Sequence, residues 1–180
     1  KILEKVVLSQ LLSHLETNNL CNPFQSAYRA GHSTETVLLR VVNDILSALD
    51  DDKLSVLLLL DNSAAFDTID HSVLLSRLET VFGIRSTALQ WFRSYLEDRS
   101  QYVSVNNLSS SPSPLLFGVP QGSVLGPALF VMSTTPLSSI IQQHAVNHQL
   151  FADDTQLQQS CKPTDIHTLT HTLAQLYYRP

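Results

Sequence analysis

Cysteine is scarce in this chain, with two residues in 180, Cys21 and Cys161. So few thiols exclude a disulfide-stapled scaffold, and the two lack the spacing of a metal site. They fit an intracellular chain with ordinary thiols. The seven histidines are scattered, with no His-x-x-x-His pair set beside a third ligand, so a zinc site is not expected. Long apolar runs are lacking as well. None exceeds Val56–Leu60, far short of the roughly 20 residues that a membrane helix needs, so no membrane partner is expected. The start, Lys1-Ile2-Leu3-Glu4-Lys5, has an acid and a helical period in place of a signal-peptide core. Position 1 is not Met, and the sequence reads as a piece of a longer chain. Positive charge is short, with 11 Lys and Arg against 16 Asp and Glu, a net charge of −5. Phosphate binding rests on cations, so any nucleic-acid role needs local basic patches or basic segments elsewhere.

What is present suits a single folded domain, or most of one. The length allows a sizeable core, and 43% of the residues are hydrophobic. Ile2, Leu3, Val6, Val7, Leu11, Leu12 and Leu15 recur at helical spacing and predict a helix over 2–17. Ser33 and Thr34 are candidate N-caps of a second helix ending near Asp50. Leu54–Leu60 reads as a strand, apolar at nearly every position and so expected to be central and covered on both faces. Asp70 caps a helix that Gly83 stops, and Ser86 opens another. Tyr102–Val105 and Leu115–Phe117 read as short strands, and Ser109–Pro114 as a surface loop. A helix from about Val124 tolerates Pro127 in its first turn and ends before Pro136. The tail from Thr164 predicts a helix through Ile166, Leu169, Leu173 and Leu176. Helices interleaved with a few strands read as α+β.

The chemistry-bearing residues are acids at strand ends. Phe151-Ala152-Asp153-Asp154 reads as a tight hairpin with two carboxylates at its tip, and Asp61 ends the Val56–Leu60 run. If those strands are neighbours, three carboxylates converge, a set suited to a pair of Mg²⁺ ions roughly 3.5–4 Å apart. Each acid taken alone reads first as a solvated turn residue; together the two readings are evenly matched. In Gly118-Val119-Pro120-Gln121-Gly122-Ser123 the glycines let the backbone approach a flat ligand such as a base pair while Gln121 contacts it. The plainer reading is a turn before a helix. Arg29, beside Tyr28 in an unpatterned loop, is a candidate triphosphate ligand or a solvated loop cation. Phe66, five residues past Asp61, reads as core unless the chain turns it toward the acids.

Four blocks in order then carry a specific resemblance. They are Pro23-Phe24-Gln25-Ser26-Ala27-Tyr28-Arg29 with His32-Ser33-Thr34-Glu35, the stretch Leu60–His71, the stretch Gly118–Pro127, and Phe151-Ala152-Asp153-Asp154. The chain resembles the reverse transcriptase domain of non-LTR (LINE-type) retrotransposons from residue 1 to about 160. The resemblance implies a right-hand polymerase palm with part of the fingers, a small antiparallel sheet packed on helices, and no thumb. It places partial fingers and connecting helices at 1–52, the palm at 53–160 and a divergent tail at 161–180. Asp61, Asp153 and Asp154 are then the catalytic acids and metal ligands, for two Mg²⁺ ions with Mn²⁺ as a substitute. Phe66 falls at an aromatic gate against the sugar 2′-hydroxyl, Gln121 and Gly122 at the block that packs on the templating base pair, Arg29 at a triphosphate ligand and Phe151 near the primer end. The implied reaction is attack of a DNA primer 3′-hydroxyl on the α-phosphate of a deoxynucleoside triphosphate, directed by an RNA template.

Departures qualify the match. Phe151 stands where the family usually has Tyr, and one hydroxyl near the primer end is lost. Asn62 replaces a residue that is usually apolar or small. An arginine-bearing finger segment before Lys1, and a later palm segment and thumb after about residue 160, are expected to be missing. The net acidic remainder is expected to hold template–primer weakly. Two alternatives stand beside the polymerase reading: a non-catalytic remnant of a retroelement, and a metal-dependent phosphoesterase using the same acids. Nucleus and cytoplasm are not distinguished, and no oligomeric state follows.

Overall fold

The structure is a computed structural model that describes residues 1–177. The side chain of Leu176, expected on the apolar face of the last helix, and residues 178–180 of the expected tail lie outside the described residues. In chain order the elements are α1 (Ile2–Thr17), α2 (Thr34–Asp50), β1 (Leu54–Leu60), α3 (His71–Thr80) and α4 (Ser86–Leu96). Four two-residue strands follow: β2 (Ser100–Gln101), β3 (Ser104–Val105), β4 (Leu108–Ser109) and β5 (Ser113–Pro114). The chain continues through α5 (Gly126–Thr134), α6 (Pro136–Gln142), β6 (Asn147–Phe151), β7 (Asp154–Cys161) and α7 (Ile166–Tyr177). Among the described residues no helix is long and apolar enough to cross a membrane.

The chain divides into two compact units. The first joins Lys1–Cys21 to Ala64–Ser133; the second joins Asn22–Ser63 to the chain from Thr134 onward. The first is mainly helical. Leu74 and Leu78 of α3, Leu96 of α4 and Leu129 of α5 are fully buried there, packed with Leu125, Phe82, Phe92 and Phe130. Sequence sets these helices locally. The Asp70 carboxylate accepts the Val73 N–H at 2.9 Å to start α3, an N-cap contribution of about 1 kcal/mol. Gly83, at φ +66°, carries the chain out beyond its end.

The second unit is built on a three-stranded antiparallel sheet in the order β1-β7-β6. Because side chains alternate across a strand, Val56, Leu58 and Leu60 share one face with Leu157. That face meets Ile141 of α6, Val146, and Leu169 and Leu173 of α7. α2 lies against all three strands and buries Val37, Val41 and Ala48. It starts at a capping box in which Ser33 Oγ accepts the Thr36 N–H at 3.3 Å and Thr36 Oγ1 accepts the Ser33 N–H at 3.0 Å.

Three local expectations change. β1 is an edge strand of this sheet, not a central one, and Leu59 is 64% exposed. A run of leucines looks doubly buried in sequence, but only the even-numbered ones face the core here. The expected Tyr102–Val105 strand shortens to β3, which pairs with β4 across a turn at Asn106 and Asn107 with φ 50° and 65°, a conformation that Asn tolerates in tight hairpins. Leu115–Phe117 forms no strand. Pairing occurs earlier, at β5, and Phe117 makes a single bridge to Asp70.

Candidate functional site

The acids belong to the second unit, and the register of its sheet brings them to one end. Leu60 pairs with Thr155, so Asp61 follows one residue past the last β1–β7 pair. Phe151 pairs with Asp154, leaving Ala152 and Asp153 as a two-residue hairpin loop. Asp61 and Asp154 are exposed and Asp153 is half-buried. Ala152 has φ 53°, a left-handed conformation that costs a residue with a Cβ about 1–2 kcal/mol. Residues held in such regions persist where the surroundings over-determine them.

Among the described residues no ion pair involves Asp61, Asp153 or Asp154; the three recorded pairs are Lys1 with Glu4, Lys53 with Asp51, and Arg93 with Glu97. Oxygen donors left free by the protein suit a hard cation. Among the described residues, however, no three Asp, Glu, His or Cys side chains gather closely enough to hold a metal ion. The convergence expected from the sequence is therefore one of strand ends, not of a closed cage. Carboxylates of like charge repel one another, and Mg²⁺ takes only one or two of them together with waters and substrate phosphates. The donor chemistry fits such an ion.

Phe151 lies at the end of β6, directly opposite Asp154 and half-buried. Arg29 is also in the second unit, exposed, in the loop before α2. Its segment is tied to the hairpin. The Ser26 N–H donates to the Leu150 carbonyl at 2.9 Å and the Leu150 N–H to the Phe24 carbonyl at 2.8 Å, which extends the sheet beyond β6. Gln149 Nε2 reinforces this join, donating to the Phe24 carbonyl at 2.8 Å and to Ser26 Oγ at 2.7 Å. Arg40 of α2 donates to the other end of the same amide at 3.2 Å.

Phe66, Gln121 and Gly122 fall in the first unit. The Phe66 ring is half-buried and stacked on Phe130, with centroids 4.6 Å apart. Gln121 and Gly122 are exposed. Gln121 lines an open cavity of about 690 Å³ together with Asp67, Gln101, Leu116 and Phe117. The loop leading to Gln121 is anchored on the Phe66–His71 segment. The Gly118 N–H donates to the Ile69 carbonyl at 2.8 Å, the Val119 N–H to the Phe66 carbonyl at 3.0 Å, and buried His71 donates from Nε2 to the Gly118 carbonyl at 2.7 Å. Gly118 sits at φ +85°, and a Cβ there would lie 3.0 Å from the Asp67 Cα. Only glycine allows that approach.

Sequence reasoning passed over the buried polar residues that hold these segments: Gln25, His71 and Gln149, which are 3%, 8% and 6% exposed. Gln25 and His71 stand inside the quoted blocks. An amide or imidazole in an unpatterned loop has no period to betray its burial, so neither drew notice.

A family model described as reverse transcriptase (RNA-dependent DNA polymerase) matches residues 1–176, running on through most of α7. The chain is 34% identical over 161 residues to the RNA-directed DNA polymerase from mobile element jockey of Drosophila melanogaster, covering 86% of this chain and 17% of that protein. It is likewise 34% identical over 137 residues to the probable RNA-directed DNA polymerase from transposon BS of the same fly, covering 76% of this chain and 15% of the relative. The chain thus spans under a fifth of the length of these curated relatives. Among solved structures, telomerase from Candida albicans superposes with a TM-score of 0.65 at 14% identity, over 94% of this chain and 32% of that one. Telomerase from Candida tropicalis gives 0.64 at 15% identity, over 94% and 36%. At such identities the likeness is one of fold.

Proposed function

Because the chain belongs to the reverse transcriptase (RNA-dependent DNA polymerase) family, we propose that Asp61, Asp153 and Asp154 are the acids of an RNA-directed DNA polymerase centre. The observation that carries the reading is the register that sets Asp61 and the Asp153–Asp154 tip at one end of the β1-β7-β6 sheet. Asp61 and Asp153 would be the principal ligands of two Mg²⁺ ions, with Mn²⁺ as a substitute. Bound there, the ions would neutralise the triphosphate and favour ionisation of the attacking hydroxyl.

The protein's own part is positioning and exclusion, as in phosphoryl transfer generally. Short strands with paired backbones fix the carboxylates, so little reorganisation is needed when charge develops. Arg29, exposed in the loop before α2, would grip the triphosphate through charge-assisted hydrogen bonds. The Gln121–Gly122 turn would pack on the templating base pair, and Phe66 would stand against a 2′-hydroxyl. Phe151 would offer its ring to the primer end without the hydroxyl of a tyrosine. RNA template, DNA primer and deoxynucleoside triphosphates are the partners this reading requires.

The test is extension of a DNA primer on an RNA template by the chain, with Mg²⁺ and deoxynucleotides. Template-directed addition is expected, lowered by about 10²–10³-fold in Asp61→Ala, the scale of removing preorganised charge stabilisation. Equal addition by the variant, or cleavage of the nucleic acid in place of extension, would sink the reading.

A further inference from the structure

The Ala152–Asp153 loop adopts a conformation that its own sequence disfavours, since Ala152 stands at φ 53° where glycine is the usual occupant. Something outside the hairpin must hold it. The side chain that reaches it is Gln25, from a segment far away in sequence. Gln25 Nε2 donates to the Ala152 carbonyl at 3.3 Å, and the Ala152 N–H donates to Gln25 Oε1 at 3.0 Å. Both backbone groups of the strained residue are thus bound by one amide, as a neighbouring strand would bind them. The Ala27 N–H donates to the same Oε1 at 2.9 Å and fixes the side chain's own orientation. Two N–H donors converge on one end of the amide, so the oxygen must be at that end. Gln25 itself is 3% exposed and bridged through its backbone to Leu150.

We infer that Gln25 is a positioning residue for the acidic tip. It clamps Ala152 in the left-handed conformation that sets the directions in which Asp153 and Asp154 leave the hairpin. The inference rests on the reading of those acids as metal ligands, but the clamp has an observable of its own. Without it the loop is free to relax toward conformations that alanine prefers, and the two carboxylates lose their fixed relation to Asp61. Gln25 touches neither metal nor nucleotide in this role.

The experiment compares the wild-type chain with Gln25→Met, which keeps the side chain's length and loses all three hydrogen bonds, and with Asp61→Asn. Two quantities are read: amide hydrogen exchange at Ala152, and affinity for Mn²⁺ alone from water-proton relaxation. In Gln25→Met, exchange at Ala152 is expected to rise about tenfold, the scale of a lost hydrogen bond opening locally, while the Leu157 and Gln158 amides in the middle of β7 hold their rates. Mn²⁺ binding is expected to weaken about tenfold with it, the factor lost when a support of metal ligands is removed. A merely structural role would move exchange throughout β7 and the melting temperature, but would not single out Ala152. Gln25→Asn, one methylene too short to reach Ala152 while bonding Ala27, is expected to move the same two readouts and serves if the Met variant does not fold. Unchanged exchange at Ala152, or raised exchange with Mn²⁺ affinity intact, overturns the inference. If the wild-type chain binds Mn²⁺ no better than Asp61→Asn, the metal reading itself has failed and the positioning role falls with it. That failure is told apart because it is seen before Gln25 is altered.

Discussion

The two units of this chain are held by different chemistry. The first is closed by leucine and phenylalanine from α1, α3, α4 and α5, several of them without any solvent contact. The second has a small apolar cluster, Ile141, Val146, Leu157 and Leu173, and beside it a set of buried polar side chains that includes Asn22, Gln25, Ser26, His148, Gln149 and Gln158. Most of these are tied to one another or to backbone. The Asn22 amide, for instance, donates to Ser138 Oγ at 2.7 Å, and its oxygen receives the Phe24 N–H at 3.0 Å. Apolar packing stabilises without direction, whereas hydrogen bonds fix where a segment lies. The unit that presents the acids is the one that spends burial on direction, and the unit that presents Gln121 relies mainly on packing.

Mutations that separate volume from hydrogen bonding test this contrast. Leu129→Ala, in the apolar unit, is expected to cost about 2–5 kcal/mol in urea unfolding through the cavity it leaves. Gln149→Leu, in the polar unit, adds apolar surface yet is expected to cost about 1–3 kcal/mol, because the Phe24 carbonyl and its neighbours lose their donor. A stabilised Gln149→Leu would show that both units are held by packing alone, and the contrast would collapse.

The third prediction uses pH. Burial holds the His148 imidazole below its ordinary range; its bond to the Val146 backbone opposes this, and the Arg40 charge adds to it. A depressed value means that the folded unit favours the neutral ring. The associated stability is complete above the unfolded value near 6.5 and is lost as pH falls from there through the lower folded value. Melting temperatures from pH 7.5 downward should therefore fall more steeply for the wild-type chain than for His148→Gln; parallel curves would remove His148 from the account. The smallest effect expected is that of Ser33→Ala, about 1 kcal/mol from loss of the α2 cap, read in the same unfolding curves.

Much of the fold was legible because it rests on short-range rules. The bounds of α1 and α2, the Ser33 and Asp70 caps, the Gly83 stop and the hairpin at Phe151–Asp154 all follow from period, cap and turn chemistry. Leu54–Leu60 shows the limit. Its composition marks a strand, but whether a leucine in it is buried depends on which neighbours the sheet acquires, and the exposure of Leu59 was not to be read from it. The four ordered blocks named the family and its candidate acids from residue types alone. They could not reveal that Phe66 stacks on Phe130 or that Gly118 lies against Asp67, since both contacts join segments some 50 or more residues apart.

Sequence by itself determined the helices, the acid-tipped hairpin and the identity of Asp61, Asp153 and Asp154 as the residues to watch. Each of these depends on interactions within a few residues, or on a pattern of residue types. Only the tertiary structure decided that β7 pairs with β1 so that Asp61 and the tip lie at one end of the sheet, and that Gln25 holds Ala152 in a conformation alanine avoids. Those outcomes depend on which distant backbone groups find one another, and a linear pattern carries no record of that choice.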